Sequence, residues 1–287
     1  MSEYGIEVRH LNKQFEAFQL SDVSFVVPSG SIMGFIGENG AGKSTTIRLI
    51  LGLLRPDAGE IRLFGEDAAT LPARTREEIG VALDESFFHD SLRPKDLDLI
   101  LKNVYRNWDS GAFYGYLDRF DLPAGQRVKK FSRGMKMKLS LSAALSHHAR
   151  LLILDEATSG LDPVVRNEIL DVFLSFVQDE GHSILVSSHI TSDLERVCDY
   201  ITFIHRGKIV VSESKDALLE RYGLIGCTKA DFGRIDRADI VGYRESHFGC
   251  EVLVQDRAAA AKKYPDFQLE RVSLEDIMLF YVRGEKR

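Results

Sequence analysis

Nowhere does this 287-residue chain string together the ~18 consecutive apolar residues that a membrane-spanning helix requires. Its first residues, MSEYGIEVRH, hold no apolar core and no small-residue cleavage site, so secretion is not expected. A basic excess is also missing: 37 Lys and Arg against 43 Asp and Glu leave a net charge of −6. Chains that grip phosphodiester backbones carry such an excess or a basic patch, so nucleic acid is not an expected partner. Cysteine is scarce. Cys198, Cys227 and Cys250 are odd in number, far apart and outside any CxxC or Cys/His cluster. They are expected to be reduced residues of a cytosolic protein. Long repeats are absent too. A hydrophobic fraction of 44% and a charged fraction of 28% exclude a disordered or collagen-like chain. The length suits about two domains.

Along the first two hundred residues, short β-branched runs alternate with helical patterns. Ile6–Arg9, Val23–Val27, Ile32–Ile36 and Ile61–Phe64 read as strands, and a helix runs from the glycine-rich turn to about Leu53. Leu151–Leu154 and Ser183–Val186 are almost wholly apolar, as strands buried on both faces are. Pro163–Val177 between them reads as a crossover helix with Pro163 in its first turn. The fold class is therefore α/β with a largely parallel sheet. From about Pro94 to His147 the periodicity is helical throughout (Leu97, Ile100, Leu101 and Val104, then Phe113–Phe120 and Met135–Leu145), which predicts an all-helical lobe. Past Tyr222, Gly223, Gly226 and Gly233 read as a linker. Strand, helix, strand and helix follow at Cys250–Val254, Arg257–Tyr264, Gln268–Val272 and after Ser273. Ser273 and Asp276 form a capping-box signal, and Leu274, Ile277, Met278 and Tyr281 make one apolar stripe.

Gly37-Glu38-Asn39-Gly40-Ala41-Gly42-Lys43-Ser44 fits GxxxxGK[ST], directly after a strand and before a helix. Glycines let such a loop curl until its N–H groups converge on phosphate oxygens, and the helix N-terminus adds positive potential. Lys43 then reaches the β/γ-phosphates and the Ser44 hydroxyl ligates Mg²⁺. A chance match in such a chain is on the order of one in a hundred, which disfavours a bland glycine turn. The second element is Leu151-Leu152-Ile153-Leu154-Asp155-Glu156, an apolar strand ending in two carboxylates. Adjacent acids repel unless a cation or substrate uses them. Strand alternation sends them to different sides, Asp155 toward a metal and Glu156 toward an attacking water. Acidic strand ends also cap helices, so this element alone is moderately specific.

Two further features sharpen the pattern. Phe131-Ser132-Arg133-Gly134-Met135 opens a helix upstream of the acidic strand, and Ser187-Ser188-His189 closes the next strand. With Ser159-Gly160-Leu161-Asp162 between them, the order resembles that of the ATP-binding cassette (ABC) ATPases over roughly residues 3–222. The resemblance implies a nucleotide-binding domain at 1–222, a P-loop NTPase core with an N-terminal antiparallel β part and a helical lobe at about 86–148; the strand and helix pattern past it reads as a small α+β C-terminal domain at 223–287. It implies that ATP is held by Gly37, Asn39, Gly40, Ala41, Gly42, Lys43, Ser44 and Thr45, the last at the α-phosphate. Phe15 matches the aromatic that stacks on adenine, with a simple core phenylalanine as the alternative. Mg²⁺ would sit among Ser44, Asp155 and Asp84, which stands where the family has glutamine. Glu156 would be the general base, Lys43 a charge neutraliser and His189 a hydrogen-bond partner of the γ-phosphate. Ser132 and Gly134 would complete the site of a second cassette, with Asp162 across that interface.

Some positions depart from the family pattern. Arg133 and Met135 replace glycine and glutamine in the signature, and Ala157 replaces a proline. The implied function is the ATPase subunit of a transporter: a dimer beneath separate integral membrane permease subunits, peripheral at the inner face of the cell membrane. FSRGMKMKLSL, SSHITSDLE and LEDIMLFYVRG resemble a bacterial subgroup that exports peptide antibiotics or drugs. Two alternatives remain, a non-transport ABC ATPase of DNA repair or translation and an ATP-binding regulatory switch. The tail's apolar stripe must be covered either by its own cassette or by a partner's copy, and dimer contacts are the expectation.

Overall fold

The computed structural model describes residues 2–83, 88–246 and 249–284. A long hairpin, β1 (Tyr4–Gln14) and β2 (Gln19–Pro28), leads to β3 (Ile32–Ile36), the glycine-rich loop and α1 (Lys43–Ile50). β4 (Ala58–Leu63) and β5 (Glu66–Asp67) return to the hairpin and complete an antiparallel sheet of order β2-β1-β4-β5. A short α2 (Ala73–Arg76) precedes β6 (Ile79–Ala82). The inserted lobe holds α3 (Pro94–Val104), α4 (Ser110–Arg119) and α5 (Arg133–Leu145). Then come β7 (Leu151–Asp155), α6 (Pro163–Phe176), β8 (Ser183–Ser188) and α7 (Thr191–Val197). β9 (Tyr200–His205), β10 (Lys208–Ser214) and α8 (Lys215–Arg221) close this part. The tail contributes β11 (Gly223–Cys227), β12 (Ile240–Glu245), β13 (Cys250–Val254), α9 (Arg257–Lys263), β14 (Gln268–Glu270) and α10 (Leu274–Arg283).

The apolar runs form the middle of a six-stranded sheet of order β10-β9-β3-β8-β7-β6, parallel except for β10. Every residue of β3, β7 and β8 is buried. Alternation divides them between two cores. Ile32, Ile36, Leu152, Leu154, Ile184 and Val186 face α5, α6 and α7, whereas Met33, Phe35, Leu151, Ile153 and Leu185 face the hairpin and α1. In the lobe, Leu97, Phe113, Leu117, Phe131 and Leu139 form a separate cluster. Within the lobe the Tyr105 ring stacks on His147 at 4.1 Å; His147 Nδ1, 2.8 Å from the Glu77 carbonyl, moors the lobe to the cassette, and burial pushes the imidazole's pKa down. Leu99, Ile100 and Val104 of α3 stay exposed.

Two expectations for the tail need correction. Gly223 and Gly226 lie within β11, which pairs with both β13 and β14 and is not a linker. A Cβ at Gly223 would meet the Arg257 side chain at 2.9 Å, so the glycine marks close packing and not a break. The stripe of α10 is covered by its own cassette. Leu274, Ile277 and Phe280 are buried in the cluster that holds Leu194, Val197 and Phe203, with Met278 and Tyr281 packed at its edge. None of these three side chains is left for a partner. Ser273 caps α10 through the expected box with Asp276.

Ile277→Ala therefore removes core, not periphery. It should lower the unfolding free energy by about 2–5 kcal/mol in a urea titration. A midpoint unchanged from the parent protein would show that α10 is not part of the cassette core.

Candidate functional site

β3, β8 and β7 are neighbours and parallel, so their carboxyl ends bring Gly37, His189, Asp155 and Glu156 together from distant parts of the chain. Such an end of an open α/β sheet, at its switch point, is where ligands bind. The loop after β3 curls through Gly40 (φ 82°) and Gly42 (φ 115°), both in the left-handed region. A Cβ at Gly42 would also strike Leu20 at 2.6 Å, so this position tolerates only glycine. The turn after β9 supports the loop from below, with Gly207 N donating to the Ala41 carbonyl at 3.0 Å.

Lys43 opens α1 and is 5% exposed. Its Nζ donates to the carbonyls of Gly37 (2.8 Å) and Glu38 (3.3 Å) and lies 3.2 Å from Glu156 Oε1. Glu156 Oε2 is 2.7 Å from His189 Nδ1. A carboxylate only accepts, so Nδ1 is the donor and Nε2 is left for another partner. The three proposed catalytic side chains thus form one chain of contacts. A cavity of about 490 Å³ beside them is lined by Ala17, Phe18, Asn39, Gly40, Gly42, Lys43, Ser44, Thr45 and Glu156.

Asp155 and Glu156 point different ways, but a turn of the backbone and not strand alternation separates them. Asp155 ends β7, is buried, and its Oδ1 accepts the Ser187 hydroxyl. Glu156 follows at φ 53°, a left-handed conformation that costs of order 1–3 kcal/mol outside glycine. Its N–H donates to the Ser187 carbonyl and Oγ, both at 3.1 Å, which holds the turn. Sequence reading places Ser187 at the end of β8 but assigns it no role. Its signal is a small hydroxyl where the apolar run of β8 ends, one residue before the strand does. Sequence reading missed His205, whose Nδ1 lies 3.2 Å from Glu38 Oε1 at the phosphate loop.

Other expected residues fall elsewhere. Phe15 sits in the β1–β2 turn, 37% exposed and outside the cavity lining, which takes Phe18 instead; the two ring centroids are 6.4 Å apart. Ser132 caps α5, accepting from Met135 N at 3.2 Å, and Gly134 packs near Val165. This signature segment borders a second cavity of about 650 Å³ that includes Arg133, Ser159 and Leu161 but no phosphate-loop residue. Asp162 Oδ1 caps α6 through Val164 N and Val165 N, both at 3.1 Å. Asp84 lies outside the described residues.

Because Ser187 bonds both carboxylate residues, Ser187→Ala should orphan a buried acceptor and loosen the Glu156 turn. A stability loss of about 1–3 kcal/mol and a fall in ATP turnover are expected together. Unchanged turnover in the folded variant would remove Ser187 from the positioning of Glu156.

Comparison with known proteins agrees with this geometry. The ABC transporter family matches residues 20–159. The chain is 33% identical over 246 residues to the bacitracin transport ATP-binding protein BcrA of Bacillus licheniformis, covering 85% of this chain and 79% of that protein. It is 32% identical over 214 residues to the lantibiotic transport ATP-binding protein SrtF of Streptococcus pyogenes, covering 74% of this chain and 91% of that protein. A solved ATP-binding subunit of an ABC transporter superposes with a TM-score of 0.67 at 30% identity, over 74% of this chain and 91% of the other. Both relatives serve transport, which favours that reading over DNA repair or translation. No helix among the described residues is long and apolar enough to cross a membrane. A phosphate loop on a parallel sheet, facing a carboxylate and a histidine, and relatives matched over most of the chain lead to one conclusion: the protein belongs to the ABC transporter ATP-binding subunits and is an ATPase.

Proposed function

We propose that the chain works as one of two cassettes that enclose two ATP molecules and drive transport through separate membrane subunits, exporting a peptide antibiotic or drug. The observation that carries the hydrolytic part is the contact chain Lys43–Glu156–His189 at the mouth of the phosphate loop. The names of the bacitracin and lantibiotic transport relatives support the cargo class. In this reading residues 1–222 form the cassette and 223–287 an accessory unit on its flank. The exposed Leu99, Ile100 and Val104 of α3 offer an apolar face for a membrane subunit. The subunit then sits at the inner face of the membrane.

Bound triphosphate would replace the carbonyl contacts of Lys43, whose charge then offsets the negative charge that grows during phosphoryl transfer. Loop N–H groups and the N-terminus of α1 add to that stabilisation. Freed of Lys43, Glu156 would accept a proton from the attacking water, and His189 holds the carboxylate oriented through Nδ1. Mg²⁺ fits the donor set, a Ser44 hydroxyl and the Asp155 carboxylate, because that ion takes one or two protein oxygens and completes its shell with phosphates and water. Once bound it supplies further charge neutralisation. Phe15, exposed in the β1–β2 turn, and the Phe18 ring beside the cavity offer aromatic faces for the base. Ser132, Gly134 and Asp162 stand apart from the Lys43 cavity in one chain, as they must if they serve the partner's nucleotide.

Glu156→Gln should retain ATP binding and slow hydrolysis by about 10²- to 10⁴-fold, the loss typical of a general base. The slowed enzyme should accumulate as an ATP-bound dimer in sedimentation. Turnover within about twofold of the parent protein would take Glu156 out of the role.

A further inference from the structure

Cys227 and Cys250, separated by a long stretch of sequence, are direct partners across the antiparallel pair β11 and β13. Residues opposite each other in such a pair lie about 4.5–5.5 Å apart at Cα and project to the same face. That separation falls within the 4.4–6.8 Å window a disulfide requires. The face is the one that carries Ile225, Val252 and Val254 into the tail's own core, and both cysteines belong to that cluster. Both are free thiols. Cys250 is 3% exposed, whereas Cys227, at the end of β11, is partly open to solvent. Nothing in nucleotide chemistry uses either.

We propose that Cys227 and Cys250 form an oxidisable dithiol, a modification site that closes to a cross-strand disulfide in exchange with a low-molecular-weight disulfide. The Cys227 thiolate, the accessible one, attacks a sulfur of the small disulfide. That S–S bond breaks, one small thiol leaves, and a mixed disulfide remains on Cys227. Cys250 then attacks the Cys227 sulfur across the strand pair and expels the second small thiol. Two protein thiols are oxidised, one small disulfide is reduced to two thiols, and the two protons leave on those thiols. Burial pushes both protein thiols up, Cys227 to about 11, so the pair rests protonated at neutral pH and exchange is slow. Cys198, buried between β3 and α7 and raised further by burial, is the internal control. The new bond would clamp the strand pair whose opposite face presents Leu224 and Leu253 to the cassette core.

The test uses the full-length protein incubated with oxidised glutathione, then unfolded, alkylated without reduction and mapped by mass spectrometry. The expected product is lighter by two hydrogens, carries a Cys227–Cys250 linked peptide pair and is alkylated at Cys198 alone. In Cys250→Ser the exchange should stop at a glutathione adduct on Cys227, and in Cys227→Ser no adduct should form on the buried Cys250. Alkylation at all three cysteines, a persistent glutathione adduct in the parent protein or a disulfide-linked dimer would each overturn the assignment.

Discussion

An ammonium group buried at the start of a helix dictates what surrounds it. Lys43 is nearly excluded from water, and an isolated charge there would be costly. Two carbonyls of its own loop and the Glu156 carboxylate satisfy it. Removing one partner of such a buried pair costs roughly 3–5 kcal/mol, so loop and acidic strand end are fixed to each other before any ligand arrives. Glu156 reaches Lys43 only because its backbone turns into a left-handed conformation that Ser187 holds by two hydrogen bonds. The site is thus tied together from three strands.

Those strands meet because they are apolar on both faces. A strand with no polar side cannot lie at an edge or on the surface, so β3, β7 and β8 take the centre of the sheet. Their parallel direction places all three carboxyl ends at the same rim. At that rim the strands turn polar, with Asp155, Ser187 and Ser188, whereas the residues between their ends fill two cores and Ser183 is the one polar residue at the other end. Hydrophobic burial therefore aims the proposed catalytic groups, and the polar contacts among them set only the final geometry.

The features legible in the sequence were those with a short period or a fixed spacing. The buried strands, the crossover helix with Pro163 at its start, the phosphate loop and the Ser273 capping box all lie where local pattern puts them. What escaped depended on contacts between distant segments. Glycine in β11 reads as a break until the Arg257 side chain is seen packed where a Cβ would sit. The apolar stripe of α10 states that it must be covered, and only the fold says by what. Phe15 and Phe18 share one turn, and which ring lines the cavity follows from how that turn closes. Cys227 and Cys250 seemed unrelated because register across β11 and β13 is invisible to a scan for adjacent cysteines.

The tail's energetics follow from the two faces of its sheet. One face, with Ile225, Val252 and Val254, builds a small core with α9; the other, with Leu224 and Leu253, joins the cassette core beside α10. A unit of some sixty residues buries too little surface to be robust alone, so the second face supplies what the first lacks. The join is specific as well as apolar. Tyr222 is fully buried, and its hydroxyl would be orphaned there but for the Tyr281 hydroxyl at 2.7 Å and the Arg221 guanidinium at 3.4 Å. Tyr281 in turn meets Phe203 of β9 edge-on, with centroids 5.9 Å apart. Two residues further along the same strand, His205 stands beside Glu38 of the phosphate loop. Tail and nucleotide loop therefore rest on one strand, and neither can shift against the sheet without β9 bearing the displacement.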